Sequence, residues 1–161
     1  LLDMSELQTI GRDETIAVDA LVDEVMVDLE PLAQEKEIKL IGNCKDTTMV
    51  GSDILIYRMV YNLVENAIKY NHFGGQVTVT AYRKGKNICL SVEDTGSGIP
   101  AELKERIFEP FFRVDKSRSR QLGGVGLGLA LVREIVRVHD GRITVQSSPS
   151  GGTIFEIVFT Q

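Results

Sequence analysis

Cysteine and proline are both scarce: two cysteines and four prolines in 161 residues. Cys44 and Cys89 are too few for a disulfide framework and match no zinc spacing; both stand in apolar, strand-like runs, so buried and reduced thiols are expected. Few prolines and a hydrophobic fraction of 43% exclude collagen-like, low-complexity and disordered chains. Positive charge is not in excess. Eighteen basic residues face twenty-three acidic ones, a formal net charge of −5, and a nucleic-acid-coating protein would need a basic face. No apolar run approaches the ~18 residues that cross a bilayer, and no signal peptide is visible. What is present is the composition of one globular domain of 17.8 kDa. A domain of that size buries roughly 70% of its unfolded surface without disulfide or metal. The chain opens with Leu1 rather than Met, which suggests a piece of something longer and leaves room for a membrane anchor upstream.

Along the chain, Leu1, Met4 and Leu7 stand at helical spacing, as if a longer helix ended there. Residues 15–18 read as a short strand. Asp19 is then placed to cap a helix in which Val22, Val25, Met26 and Leu29 keep the helical period, with Pro31 kinking it or marking its last turns. Strands are expected at 38–44 and 48–50. Ser52 or Asp53 should cap the strongest helix, about 54–71. Two alternating strands joined near Gly85 follow, with Val77, Val79, Ala81, Ile88, Leu90 and Val92 on the apolar side. A short helix at about 101–107, an aperiodic connection over 108–125, a helix at 127–139 and strands at 142–146 and 153–159 complete the chain. One apolar and one polar face on the hairpin predicts an α+β, two-layer sandwich: a mixed, mostly antiparallel sheet with helices on one side.

Four segments carry candidate chemistry. Asn62, Glu65, Asn66, Lys69 and Tyr70 share one face of the long helix, while Ile56, Val60, Leu63 and Ala67 occupy another. An Asn carbonyl is a fitting ligand for a hard cation such as Mg²⁺, although a solvated helix face explains the same residues. Asp94-Thr95-Gly96-Ser97-Gly98-Ile99-Pro100 follows a strand, where a carboxylate could accept a hydrogen bond from an exocyclic amine; an ordinary turn is the plainer alternative. Gly123-Gly124-Val125-Gly126-Leu127-Gly128-Leu129 opens a helix and offers main-chain N–H groups to phosphate. It departs from the dinucleotide pattern G-x-G-x-x-G, and no P-loop exists in the chain, so a merely flexible loop stays open. Phe108, Phe111, Phe112 and Arg113, followed by the basic run 116–120, could form a hinge or phosphate-facing segment, or simply a solvated loop.

In order, NLVENAIKY (62–70), DTGSGIP (94–100), FEPFFRVD (108–115), GVGLGLA (124–130) and GGT (151–153) resemble the catalytic ATP-binding domain of sensor histidine kinases, a branch of the gyrase–chaperone–MutL superfamily with the Bergerat-type fold. The resemblance implies Mg²⁺ on Asn66, with Asn62 nearby, and ATP as the nucleotide. It places Lys69 and Tyr70 at the phosphate and rim, Asp94 at the adenine amine, and Thr153 in support of Asp94 through hydroxyl or water. Gly96, Gly98 and Ile99 would lie at the base. Gly124, Gly126, Leu127, Gly128 and Leu129 would form the lid edge, and Arg113 would reach the terminal phosphate. Glu65 would orient the attacking imidazole or face solvent. The same resemblance divides the chain into residues 1–12, the end of an upstream dimerisation and phosphoacceptor hairpin, and 13–161, the catalytic domain with a lid at about 108–128. It implies a response regulator as partner, no nucleic acid, a homodimeric full-length protein with a monomeric fragment, and a cytoplasmic domain of a membrane-anchored kinase.

Two readings compete with phosphoryl transfer to histidine: a serine kinase or anti-sigma-type regulator, and a non-catalytic nucleotide-binding module. Hydrolysing members of the superfamily carry Glu four residues before the metal-binding Asn; here Asn62 stands there, and an amide is no general base. Val125 replaces a common Thr and Asp140 a usual Gly. No phosphoacceptor segment is found; His72 and His139 sit at helix ends, where a cation suits the dipole.

Overall fold

The computed structural model describes residues 4–110, 112 and 128–161. A two-stranded antiparallel ribbon joins β1 (Glu14–Ala17) to β3 (Thr48–Gly51). The main sheet is five-stranded, in the order β2-β4-β5-β7-β6. Its members are β2 (Lys39–Cys44), β4 (Gln76–Lys84), β5 (Asn87–Asp94), β6 (Gly141–Ser147) and β7 (Thr153–Thr160). Only β2 and β4 run parallel; the other three pairings are antiparallel. Helices α1 (Val18–Glu35), α2 (Asp53–Lys69) and α3 (Gly128–Val138) pack together and against one face. The expected α+β sandwich with a mixed, mostly antiparallel sheet is the architecture found.

The alternating strands cause that layering. Val77, Val79 and Ala81 of β4 and Ile88, Leu90 and Val92 of β5 are buried under the helices, and Phe155, Ile157 and Phe159 of β7 join them. Each helix lays one apolar stripe on this surface: Val18, Leu21, Val22, Val25 and Leu29 from α1, and Ile56, Met59, Val60, Leu63 and Ala67 from α2. Gly85 takes φ +62 in the β4–β5 turn.

Several local expectations are corrected. Asp19 does not cap α1: Ala17 is the N-cap residue and makes no side-chain bond, while Asp19 lies in the first turn. Pro31, by contrast, marks the last turns of α1 as expected, the helix ending at Glu35. The proline ring removes the N–H that the Val27 carbonyl would accept, and Val27 lies on the exposed side of the helix at 72% exposure. The helix expected at 101–107 is two separate 3₁₀ turns, Ala101–Leu103 and Arg106–Phe108, because a segment this short gains too few i→i−4 bonds to nucleate an α-helix. Cys44 and Cys89 are half-buried, not buried, since Cys44 lies on the edge strand β2 and Cys89 pairs across with the exposed Tyr82. Burial, with Asp23 and Asp19 nearby, pushes the Cys44 thiol pKa up and keeps it protonated. The first turn, Met4–Thr9, is 3₁₀ and packs against α3, with Leu7 wholly buried.

Candidate functional site

Helix α2 supplies the polar face. It starts at Ser52, whose extended backbone lets Oγ accept the Leu55 N–H at 3.3 Å. The Ser52 N–H in turn donates to His139 Nε2 at 3.0 Å, and His139 Nδ1 lies 2.8 Å from the Ile135 carbonyl. A nitrogen that accepts an N–H holds no proton, so Nδ1 carries it and the ring is neutral. The sequence favours a cation at this helix end; the structure overrides it, because burial lowers the His139 pKa and the Arg12 guanidinium adds to that. His72 is exposed beyond the end of α2.

From that anchored start, α2 presents Asn62, Glu65, Asn66, Lys69 and Tyr70, all half-buried, away from its packed stripe. Asn62 Nδ2 donates to the Gly128 carbonyl at 3.5 Å, joining α2 to the first residue of α3. Glu65 and Lys69 pair at 3.8 Å across one turn. The Asn66 amide makes no side-chain hydrogen bond among the described residues, whereas its main-chain carbonyl accepts the Tyr70 N–H at 3.1 Å. Leu129 is half-buried against the core, and a Cβ on Gly128 would meet nothing within 4 Å.

Asp94 ends β5 and is 9% exposed. Its Oδ1 accepts two main-chain N–H groups, from Gly96 at 2.8 Å and from Thr153 at 3.2 Å. Thr153 thus reaches Asp94 through its backbone N–H. Oδ2 makes no hydrogen bond among the described residues. Burial raises the Asp94 pKa; the two N–H donors counter this in part, Glu93 adds to it and His72 opposes it. The residue before Thr153 is one the sequence undervalued: a Cβ on Gly152 would fall 2.0 Å from the Asp94 carbonyl oxygen. The Gly-Gly-Thr turn was legible, but its fit against β5 is a contact across the sheet that no local signal announces. Gly98 takes φ +76 beside the Gly151 carbonyl, and Ile99 is half-buried on the core.

The aromatic segment docks inward: Phe108 is buried edge-on to Phe155 at 6.2 Å, and the Arg106 guanidinium lies 4.8 Å over Phe112. Phe111, Arg113, the basic run 116–120, Gly124, Gly126 and Leu127 lie outside the described residues. A separate groove of about 410 Å³, lined by Met26, Val27, Glu30, Pro31, Gln34 and Leu40, contains no candidate site residue.

The family model described as histidine kinase-, DNA gyrase B- and HSP90-like ATPase matches residues 51–161. The chain belongs to that family. SenX3, a sensor-like histidine kinase of Mycobacterium tuberculosis strain H37Rv, is 38% identical over 161 residues, 98% of this chain and 39% of SenX3. The chain thus spans about two fifths of that relative's length. The nucleotide-free catalytic domain of histidine kinase ThkA superposes with a TM-score of 0.83 at 27% identity, over 93% of this chain and 96% of that one. Full-length ShkA in complex with AMPPNP gives 0.83 at 25% identity, over 97% of this chain and 33% of ShkA. ThkA in complex with the response regulator TrrA matches with a TM-score of 0.77 at 26% identity, over 92% of this chain and 41% of that one. The relatives place this ATPase-family chain on the sensor histidine kinase branch, whose nucleotide is ATP.

The donor set of this histidine kinase-like domain fits a magnesium nucleotide. Among the described residues no group of three or more His, Cys, Asp or Glu could hold a metal. A neutral Asn carbonyl such as that of Asn66 is the kind of oxygen donor Mg²⁺ accepts alongside phosphate oxygens. Among the described residues no helix is long and apolar enough to cross a membrane.

Proposed function

We propose that this chain is the part of a two-component sensor kinase that binds Mg²⁺-ATP and passes its γ-phosphoryl group to a histidine on a domain upstream. The observation that carries this is Asp94: one oxygen is fixed by two backbone N–H groups, the other is left to accept, and burial makes a neutral N–H donor a fitting partner. An adenine amine is such a donor. Gly96, Gly98 and Ile99 would border the base, with Thr153 steadying the carboxylate.

At the other end, Asn66 and Asn62 face the phosphates, and Tyr70 their rim. Asn66, together with phosphate oxygens, would hold Mg²⁺, and the chemistry that ion would supply is neutralisation of phosphate charge. Lys69 would leave Glu65 to meet a phosphate, freeing that carboxylate to orient the incoming imidazole. Arg113 and the glycines at 124, 126 and 128, with Leu127 and Leu129, would border the phosphates from the lid. In the transfer the bond from the β,γ-bridging oxygen to phosphorus breaks, a nitrogen–phosphorus bond forms, and ADP departs. The Asn62 amide, engaged with the Gly128 carbonyl, provides no base to activate water, which supports transfer over hydrolysis.

The reading extends to partners. Residues 1–12 would continue into a dimerisation and phosphoacceptor hairpin, with 13–161 as the catalytic domain, and a response regulator would receive the phosphoryl group, as the ThkA–TrrA complex suggests. The whole protein would be a membrane-anchored homodimer with this domain in the cytoplasm. The test is calorimetric titration with ADP and Mg²⁺, then labelled ATP added to a chain extended upstream. Saturable binding and an acid-labile, base-stable label on a histidine are expected. No binding, or a label on serine, overturns the reading.

A further inference from the structure

We infer that Asn71 and Thr95 form a latch that sets the position of Asp94 relative to α2, making them positioning residues for the base of the nucleotide; this rests on the ATP reading above. Asn71 is 1% exposed, just past the C-terminus of α2. Both ends of its amide are engaged: Oδ1 accepts the His72 N–H at 2.8 Å and the Thr95 hydroxyl at 3.2 Å, and Nδ2 donates to the Gln76 carbonyl at 2.9 Å. Thr95 Oγ1 in turn accepts the Gln76 N–H at 2.9 Å. The hydroxyl has one proton to give. The Gln76 carbonyl lies farther away, at 3.5 Å, and already accepts the Thr95 N–H, so the proton goes to Asn71.

The result is a closed ring, Gln76 to Thr95 to Asn71 and back to Gln76, tying the end of α2, the start of β4 and the loop after β5. Its location gives it consequence. Thr95 lies between Asp94 and Gly96, whose N–H holds Asp94 Oδ1 at 2.8 Å. Gly96 rests against the end of α2, where a Cβ would come within 2.5 Å of the Tyr70 carbonyl oxygen. The α2 end is itself fixed from outside, because Lys36 Nζ donates to the carbonyls of Ile68 at 3.3 Å, Lys69 at 2.8 Å and Asn71 at 3.0 Å. The ring therefore acts on a rigid end, one turn beyond Asn66. It fixes how the carboxylate stands relative to the amide that faces the phosphates.

Thr95 is half-buried and the better probe, since Thr95→Val keeps the shape and removes only the hydroxyl. Titrations with Mg²⁺-ADP and with Mg²⁺-tripolyphosphate, which has no base, are compared across variants. Thr95→Val should weaken ADP about tenfold and leave tripolyphosphate unchanged, and Thr95→Ser should restore ADP affinity to within about twofold. In a double-mutant cycle, Thr95→Val added to Asp94→Asn should cost nothing more, because the latch acts through Asp94. Unchanged ADP affinity in Thr95→Val, an equal loss for tripolyphosphate, or additive losses in the cycle would each overturn the latch, including when the melting temperature falls. If the unaltered chain binds no ADP, the ATP reading fails and the latch with it; if it binds ADP and only the Thr95 variants disagree, the latch alone is lost.

Discussion

The main-chain N–H of Thr153 donates to Asp94 Oδ1 at 3.2 Å, a bond between residues 59 apart in the sequence. With the Gly96 N–H it fixes one carboxylate oxygen and leaves the other to accept, so the start of β7 aims the side chain at the end of β5.

That arrangement has an electrostatic cost. Because burial raises its pKa, Asp94 binds a proton in the folded chain at pH values where the unfolded chain has released it. Stability is therefore drawn down as pH rises from the unfolded value of 3.8 through the folded one. Asp94→Asn keeps an oxygen for both N–H groups and removes the charge. It should raise the melting temperature at pH 7, a gain that shrinks toward acid pH, while weakening ADP tenfold or more. A variant less stable at pH 7 that still binds ADP would contradict both halves.

Gly152→Ala should displace the start of β7 from β5, because its Cβ would meet the Asp94 carbonyl oxygen at 2.0 Å, with backbone on both sides of the contact. A lower melting temperature and ADP binding reduced at least tenfold are expected by scanning fluorimetry and calorimetry, with Gly11→Ala as the comparison, where a Cβ would meet only Asp13 Oδ1 at 3.7 Å. Wild-type behaviour of Gly152→Ala would remove this contact from the account.

The His139 joint predicts a pH slope of the opposite sign. Its folded pKa is depressed, so above the ordinary value of 6.5 the full contribution is present; as pH falls from 6.5 toward the folded pKa, the unfolded chain binds the extra proton and stability is lost. His139→Leu strands the Ser52 N–H and should cost about 1–3 kcal/mol at pH 8. Urea melts of the two proteins should converge as pH is lowered toward 5; parallel curves would mean that the ring does not titrate in this window.

Leu7→Ala should cost about 2–5 kcal/mol, since the side chain is 0% exposed and packs in the core cluster with α3. Removing residues 1–12 should cost at least as much. Urea denaturation measures both, and a truncated chain as stable as the original would show that this segment serves only an upstream element.

Most of the fold was legible because its signals are local. Alternation at Val77, Val79 and Ala81, the helical stripe of α2 and the Ser52 cap each involve residues near in sequence. Where a local signal met a tertiary one, the tertiary one prevailed. His139 stays neutral at a helix end that favours a cation, because burial lowers its pKa and Nε2 accepts the Ser52 N–H. The site divides in the same way. Asn62, Asn66 and Lys69 share a face by helical arithmetic alone, but Gly152 and the Asn71–Thr95 ring have no local signature.

By itself the sequence determined which segments form the layers and which polar residues remain on α2, because periodicity decides the direction of a side chain relative to its own backbone. The tertiary structure decided how far apart those residues stand and which protons they hold. Hydrogen bonds such as Thr153 to Asp94 and Ser52 to His139, and the desolvation that shifts both titrating groups, arise only when elements distant in the chain are packed together.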